Sequence, residues 1–436
     1  MKIHFIGIGG IGISALAKYY LKKGVKISGS DLVSSEITKE LEKLGAKIFI
    51  GKHKVKNLPK DVNLVIFSPA ITKDNPEIKK AKKLKIKCQS YPQALGDLTK
   101  KYFTIAVCGS HGKSTTSSMI GLILTKAKLD PTVILGTKLK EFSNSNCRVG
   151  KSKYLVIEAD EYKEAFLNYW PEIIVLLNIE YDHPDYFKNF DHYLRTFKKF
   201  ISYLPQNGIL IANKDDKIIT DNFFLIGKNV FWYSLREKEA KKIKKILKVP
   251  GKFNVSNALA AFKVAKILKV PEKVALKTLS QFKGSWRRFE IKKVKINNLQ
   301  FTLINDYGHH PTELLKTVQA AREKFKRKKI ILVYQPHQYQ RTYYFFEKFI
   351  KVFRKLPVDQ TIILEIYDVA GRENKKIKEK INSEKLVKKI TKENVIFVPK
   401  KKIFSFLKGK LEGGEVVIFM GAGDIYDLSL KLQKRN

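Results

Sequence analysis

Short apolar runs alternate along the chain with longer stretches in which apolar positions recur every three or four residues, the signature of strands and helices taking turns. That alternation predicts an α/β protein built on mostly parallel sheets. It opens with a strand over 2–6, a helix over 13–23 and strands over 26–28, 47–50 and 62–67. The group closes near Tyr91-Pro92-Gln93, ahead of a helix over 95–98. A second group starts with a strand over 102–108 and a helix over 114–126, and adds strands over 154–157 and 173–177 and a helix over 256–267. A third follows Gly284-Ser285-Trp286-Arg287-Arg288-Phe289, with strands over 301–305, 329–334, 361–366 and 416–420. No solenoid-length repeat or low-complexity segment intervenes. At 436 residues the chain is too long for one ordinary core. Three α/β domains are expected, over 1–97, 98–286 and 287–436, with hinges near 91–97 and 284–288.

Composition narrows the class. Lysine and arginine total 85 against 41 acidic residues, a net charge of +44, and such a field attracts polyanions. Only 11 of the basic residues are arginine, and the lysines are spread over every predicted helix. A base-reading surface needs clustered arginines and interleaved aromatics. No specific nucleic acid is therefore expected; the lysines form a solvated surface able to gather anionic substrates. No apolar run reaches the roughly 18 residues of a membrane helix, so no membrane partner is expected. The N-terminal segment runs straight into a glycine loop rather than a cleavage site. Cys88, Cys108 and Cys147 form neither a metal-spaced pair nor a disulfide framework, which favours a cytoplasmic location.

Two glycine loops carry the first chemistry. Gly7-Ile8-Gly9-Gly10-Ile11-Gly12 fits the G-x-G-x-x-G pattern between a strand and a helix, where amide N–H groups can meet a pyrophosphate. Asp31 follows the next strand, placed to accept from a ribose hydroxyl or a base. Alone, this loop suits an NAD-dependent dehydrogenase as well as any nucleotide diphosphate. Gly109-Ser110-His111-Gly112-Lys113-Ser114-Thr115 is the stronger signal, standing after an apolar strand and before a helix as a phosphate-binding loop does. There Lys113 can neutralise β/γ-phosphate charge and the Ser114 hydroxyl can reach Mg²⁺. It is not a full Walker sequence, whose first glycine would fall at Val107. Glu158-Ala159-Asp160-Glu161 and Asn178-Ile179-Glu180-Tyr181-Asp182-His183 end two further strands. A carboxylate and an imidazole near Ser114 would suit Mg²⁺ or Mn²⁺. Taken by itself, His183 is equally a hydrogen-bonded histidine at a strand end.

The order of these segments, with 251–257, 287–290, 309–313 and 335–342, resembles the Mur ligase family over nearly the whole chain. The resemblance implies an N-terminal Rossmann-like domain for a UDP-sugar, a central P-loop-type ATPase domain and a C-terminal Rossmann-like domain for an amino acid. It implies ATP-dependent, ADP-forming addition of L-alanine to the carboxylate of UDP-N-acetylmuramate, through an acyl phosphate, in peptidoglycan synthesis. A monomer or weak homodimer is expected. Carried over by position, Gly7, Gly9, Gly10, Gly12 and Asp31 would face the UDP-sugar. The loop Gly109, Ser110, His111, Gly112, Lys113, Ser114 and Thr115 would hold ATP, together with Asn254, Asn257 and Arg288. Ser114, Glu158 and His183 would hold the metal, and Tyr307, His309, His337 and Arg341 would surround the reacting carboxylate and amino acid. The catalytic set is then Lys113, His183, His309, His337 and Arg341.

Within the family, Gln335-Pro336-His337, Arg341-Thr342 and Gly421-Ala422-Gly423-Asp424 resemble the alanine-adding branch. Glu161-Tyr162 resembles the murein peptide-recycling branch, which joins a tripeptide to the same sugar. Four positions depart from the family pattern: Phe253 for histidine, Asn305 and Lys163 for aspartate, and Gln338 for arginine. The last removes a cation able to pair with an anion through two parallel bonds, and one charged hydrogen bond is worth about 1.5–3 kcal/mol. A dehydrogenase leaves the second loop and the histidines unused, and a polyanion-binding protein leaves every motif unused.

Overall fold

The computed structural model describes residues 1–224, 229–296, 299–369 and 373–433. Its strands form three sheets. The first holds β1 (Lys2–Ile6), β2 (Lys26–Asp31), β3 (Lys47–Ile50), β4 (Leu64–Phe67) and β5 (Lys87–Ser90), all parallel, in the order β3-β2-β1-β4-β5. The second holds β6 (Phe103–Cys108), β7 (Thr132–Leu139), β8 (Ser145–Arg148), β9 (Tyr154–Glu158), β10 (Ile173–Leu176), β11 (Ile209–Asn213) and β12 (Asn229–Tyr233). Their order is β12-β11-β10-β6-β9-β7-β8, with only β8 antiparallel to its neighbour. The third holds β13 (Glu290–Ile296), β14 (Leu299–Asp306), β15 (Ile330–Tyr334), β16 (Gln360–Ile363), β17 (Val395–Phe397) and β18 (Val416–Met420). Here the order is β13-β14-β18-β15-β16-β17, and β13 alone runs antiparallel. The expected three-domain α/β class with parallel-dominated sheets is the one observed.

Burial on both faces explains the unbroken apolar runs of the central strands. In β15, Ile330, Leu332 and Tyr334 join one core, while Ile331 and Val333 join another on the opposite face. β14 divides in the same way, with Phe301 and Leu303 on one side and Ile304 on the other. β8 obeys no such rule. Its sequence Ser-Asn-Cys-Arg carries no apolar run, and it is a strand because it pairs with β7, with helix Ile11–Lys22 packed over it. The Asn146 side chain, fully buried, donates to the Ile11 carbonyl (2.6 Å) and to Ser14 Oγ (3.0 Å).

The chain forms two compact units: Met1–Ile179, Leu194–Ile246 and Asn257–Gln281 in one, and Glu180–Tyr193, Leu247–Ser256 and Phe282–Asn436 in the other. Sequence order alone does not anticipate that Glu180–Tyr193, which follows β10, packs with the third sheet. The segment expected as a hinge at 91–97 is helix Tyr91–Thr99, closed at its start by a Ser90–Gln93 capping box. It is tightly seated, because a Cβ on Gly96 would lie 2.2 Å from the Asn168 carbonyl oxygen. Segment 287–288 is likewise tied down: the Arg287 guanidinium donates to the carbonyls of Gly421 (3.1 Å) and Gly423 (3.2 Å).

Candidate active site

Four residues separate the end of β6 at Cys108 from helix Lys113–Lys126, and two are glycines with positive φ, Gly109 at +133° and Gly112 at +88°. A side chain at 112 would also be obstructed, since a Cβ there would stand 2.5 Å from Asn257 Oδ1. Asn178, at the end of the neighbouring strand, shapes the loop. Its carbonyl accepts from the Ser110 N–H (3.1 Å), its Oδ1 from the His111 N–H (2.8 Å), and its Nδ2 donates to the His111 carbonyl (3.0 Å). No side chain among the described residues caps the helix, whose first turn carries Lys113, Ser114 and Thr115. An uncapped helix N-terminus behind a glycine loop is a place for phosphate.

Lys113 reaches back over this loop, its Nζ donating to the Gly109 carbonyl (2.7 Å) and to Glu161 Oε2 (2.7 Å), with Asp160 Oδ1 at 3.9 Å. Burial opposes its charge, yet the Glu161 and Asp160 carboxylates hold its pKa above the ordinary lysine value. Glu161 is itself fully buried; burial lifts its carboxyl to about 7 while Lys113 pulls the other way. Ser114 Oγ donates to Glu158 Oε2 (2.8 Å), and Glu158 Oε1 accepts from the Gly136 N–H (2.6 Å). A hydroxyl and a carboxylate brought together beside a phosphate loop form a hard oxygen donor set, which fits Mg²⁺ or Mn²⁺.

The expected amino-acid group gathers in the other compact unit, around a carboxylate that the sequence reading left without a role. Asp182 and Arg341 are 3% and 2% exposed, and Arg341 Nε donates to Asp182 Oδ1 (2.9 Å). Burial disfavours the Asp182 charge, but Arg341 and His183 hold its carboxyl well below the usual range. Arg341 Nη1 lies 3.2 Å from His337 Nδ1 and 3.3 Å from the His337 carbonyl; Nη2 lies 3.4 Å from His183 Nδ1. Because a guanidinium only donates, those two imidazoles accept at Nδ1 and carry their protons on Nε2. Ligation of a metal through Nε2 of His183 would require that proton to leave. His309 Nε2 stands 3.8 Å from Asp182 Oδ2, its Nδ1 lies 3.3 Å from the Tyr307 carbonyl, and its own carbonyl accepts from Tyr334 Oη (2.9 Å). The His309 and His337 rings are 5.6 Å apart, and Tyr307 lies under the guanidinium of Arg288 at 4.9 Å. Arg341, expected to face substrate, is thus an interior residue whose guanidinium nitrogens are directed at protein groups.

Other expected residues divide between the units. Asn257 lies beside Gly112, whereas Asn254 belongs to the unit of the third sheet and donates to the Pro250 carbonyl (2.7 Å). In the first glycine loop, Gly7 has φ +74° and its N–H donates to the Ser30 carbonyl (2.8 Å). A Cβ on Gly12 would stand 3.1 Å from the Tyr91 ring, and one on Gly10 3.2 Å from Ile13. Asp31, expected to accept from a ribose, takes the Gly9 N–H on Oδ2 (2.8 Å). Glu161, Asn178 and Asp182 all stand in the segments singled out from the sequence, but none had been assigned a task.

A half-buried phosphate loop at the end of a parallel sheet, with a hydroxyl–carboxylate pair beside its lysine, describes a nucleotide-triphosphate enzyme. Three family models match the chain in succession: Mur ligase family, catalytic domain (residues 2–103), Mur ligase middle domain (107–265), and Mur ligase, glutamate ligase domain (287–423). The chain belongs to the Mur ligase family. Among its relatives, a UDP-N-acetylmuramate–L-alanine ligase of Acetivibrio thermocellus is 41% identical over 450 residues, spanning 97% of this chain and 94% of that protein. The crystal structure of a UDP-N-acetylmuramate–alanine ligase from Thermotoga maritima matches with a TM-score of 0.80 at 29% identity, over 100% of this chain and 99% of the other. A murein peptide ligase from Psychrobacter arcticus shares the fold, with a TM-score of 0.75 at 22% identity over 100% and 98% of the two chains.

Proposed function

We infer that this protein is an ATP-dependent ligase that adds L-alanine to the carboxylate of UDP-N-acetylmuramate, releasing ADP and phosphate, in peptidoglycan synthesis. The observation that carries the reading is the loop 109–115, in which Lys113 is held charged over a glycine turn and Ser114 meets Glu158. The relatives at about 40% identity across the whole chain supply the substrates. In this reading residues 1–97 take the UDP-sugar, 98–286 take ATP and 287–436 take the amino acid.

A carboxylate cannot acylate an amine unaided, because oxide is too poor a leaving group. The sugar carboxylate attacks the γ-phosphorus of ATP, the bond to the β,γ-bridging oxygen breaks, and ADP leaves. The acyl phosphate that results is attacked by the alanine amine, and phosphate departs from the tetrahedral intermediate with the former carboxylate oxygen. Positioning and charge neutralisation do most of this work. Lys113 exchanges its Glu161 partner for γ-phosphate oxygens, and the loop amides hold the phosphates against the helix. Ser114 and Glu158, with His183 as the expected third ligand, would hold Mg²⁺ or Mn²⁺, which supplies Lewis-acid neutralisation of the phosphates. His309 and His337 are the imidazoles that, in this reading, would take the ammonium proton.

The deciding experiment is phosphate release from ATP in the presence of UDP-N-acetylmuramate, screened with L-alanine, glycine, L-serine and the murein tripeptide, with products weighed by mass spectrometry. L-alanine-dependent release with the matching product is expected; release only with the tripeptide would establish the recycling reading that Glu161-Tyr162 favours. Among the described residues no helix is long and apolar enough to cross a membrane. We propose a cytoplasmic enzyme acting as a monomer or weak homodimer.

A further inference from the structure

Glu77, in the first turn of helix Pro76–Lys83, is a fully buried carboxylate with no part in the chemistry above. Its Oε2 faces His4 Nε2 (2.7 Å) and Ser30 Oγ (2.9 Å), and its Oε1 faces His53 Nδ1 (2.7 Å) and Asn57 Nδ2 (3.4 Å). A carboxylate only accepts, so all four groups donate to it. Burial disfavours the charge, but the bonds from His4 and His53 hold the carboxyl below its ordinary value. His4 stands on β1, Ser30 on β2, and His53 and Asn57 in the segment that follows β3. One side chain thus ties helix Pro76–Lys83 to two strands and to the connection after a third. Desolvation offsets much of what a buried charge gains from its partners, so net stability is a poor account of this cluster. What it can supply is geometry.

That geometry converges on the first glycine loop. Ser30 is the last residue of β2 in register with β1, opposite Ile6, and the loop starts at the residue after Ile6. The Ser30 carbonyl accepts from the N–H groups of Gly7 (2.8 Å) and Ile8 (3.1 Å), and Asp31 Oδ2 accepts from that of Gly9 (2.8 Å). Residues 30 and 31 therefore hold three successive amides of the loop, including Gly7 at φ +74°. The amides left for a diphosphate are those at the start of helix Ile11–Lys22, which no side chain among the described residues caps. We propose that Glu77 is a positioning residue for the UDP-sugar: by fixing Ser30 at the end of β2 it sets the path of the glycine loop, and with it the direction of the amides that meet the diphosphate. Every residue in this chain of contacts belongs to one compact unit. The consequence for binding rests on the ligase reading above; the consequence for the loop does not.

The test compares the intact protein with Glu77→Gln, which keeps the shape of the side chain but sets an amide N–H₂ where an acceptor stood. Calorimetric titration with UDP-N-acetylmuramate should show binding weakened about tenfold or more, the scale of one charged hydrogen bond. Affinity for a non-hydrolysable ATP analogue, and kcat at saturating substrates, should stay within about threefold, because the second glycine loop is untouched. Hydrogen–deuterium exchange should accelerate in peptides covering 5–12 and stay level in peptides covering 105–112. Glu77→Asp, which keeps the charge on a shorter arm, should recover part of the lost affinity. Wild-type exchange over 5–12 in Glu77→Gln, or wild-type affinity for the UDP-sugar, would overturn the proposal. So would equal weakening of both ligands, the mark of a carboxylate that serves stability alone. If Glu77→Gln loses its near-ultraviolet dichroism, Ser30→Ala, which removes only the link from the carboxylate to β2, decides by the same measurements. There a loss of at least about threefold, confined to the UDP-sugar, is expected, and none would overturn the proposal. Should the wild type fail to bind the UDP-sugar, the ligase reading falls and the exchange over 5–12 still decides.

Discussion

Replacing Asn178 by alanine isolates what the shape of the phosphate loop contributes. The side chain makes two hydrogen bonds to the His111 backbone, at 2.8 and 3.0 Å, while its backbone carbonyl, which holds the Ser110 N–H, is untouched by the substitution. Each side-chain bond is worth roughly 0.5–1.5 kcal/mol net. The half-buried site admits water in place of the amide, so the full penalty for orphaned groups does not apply. About 2 kcal/mol of loop preorganisation is then lost and must be recovered when ATP binds, which corresponds to about 30-fold in affinity. Lys113, Ser114 and Glu158 are unchanged in this variant, so turnover at saturating ATP is expected to stay within a few-fold of wild type. Calorimetric titration with a non-hydrolysable ATP analogue gives the affinity, and steady-state kinetics give KM for ATP and kcat separately. A variant that binds the analogue normally but turns over slowly would show that the Asn178 clamp serves the chemical step, not the loop.

Lys113→Ala should lower turnover by at least about 10²–10³-fold, the scale for one preorganised charge stabiliser, measured as phosphate release. Glu158→Gln keeps the shape but removes a hard anionic oxygen, so the Mg²⁺ concentration for half-maximal rate should rise by about tenfold or more while the affinity for the UDP-sugar stays level. Gly112→Ala combines a positive φ with a Cβ 2.5 Å from Asn257 Oδ1, and should weaken binding of the ATP analogue by at least about fivefold. Glu161 predicts a pH effect on stability. Its carboxyl sits at about 7 in the fold against an ordinary 4.5, so its contribution is present below about 4.5 and lost as pH rises through 7. The unfolding free energy from urea titration, wild type minus Glu161→Gln, should therefore fall between pH 5 and 8, by up to about 3 kcal/mol, and a difference that rises with pH would refute the assignment.

The parallel scaffold was readable because its central strands are buried on two faces. β1, β3 and β18 have the bounds expected from their apolar runs, and the helix behind the second glycine loop begins one residue earlier than expected. Among the strands not named beforehand, β7, β11, β12 and β17 carry apolar runs, whereas others take their identity from neighbours. β5 (Lys-Cys-Gln-Ser) and β8 (Ser-Asn-Cys-Arg) have no periodicity to detect, and β13 is recruited by its antiparallel pairing with β14. Tertiary pairing overrides local pattern in such short polar segments.

Glycine loops could be read because a positive φ and close approach leave a compositional mark, as at Gly109 and Gly112. Partnerships leave none. Asn178 meets His111 across 67 positions and Asp182 meets Arg341 across 159, so the roles of both residues exist only once the chain is folded. Arg341 shows the consequence most clearly. An arginine near histidines reads as a substrate-binding cation, and nothing in the sequence signals its 2% exposure or its bond to Asp182. Gln338, three residues earlier, is the complementary case. It is fully buried, has φ +78°, and neither atom of its amide has a partner among the described residues. A buried unmade hydrogen bond costs about 1–3 kcal/mol, and backbone strain adds to it. Such a penalty is tolerated where surrounding contacts over-determine the conformation, and here they do. The Gln338 N–H donates to the Tyr367 carbonyl (3.0 Å), its carbonyl accepts from Thr342, and Arg341 and His337 are both anchored on either side. The turn is therefore held by its bonds to Tyr367 and Thr342, and the departure from arginine leaves the Asp182–Arg341 pair in place.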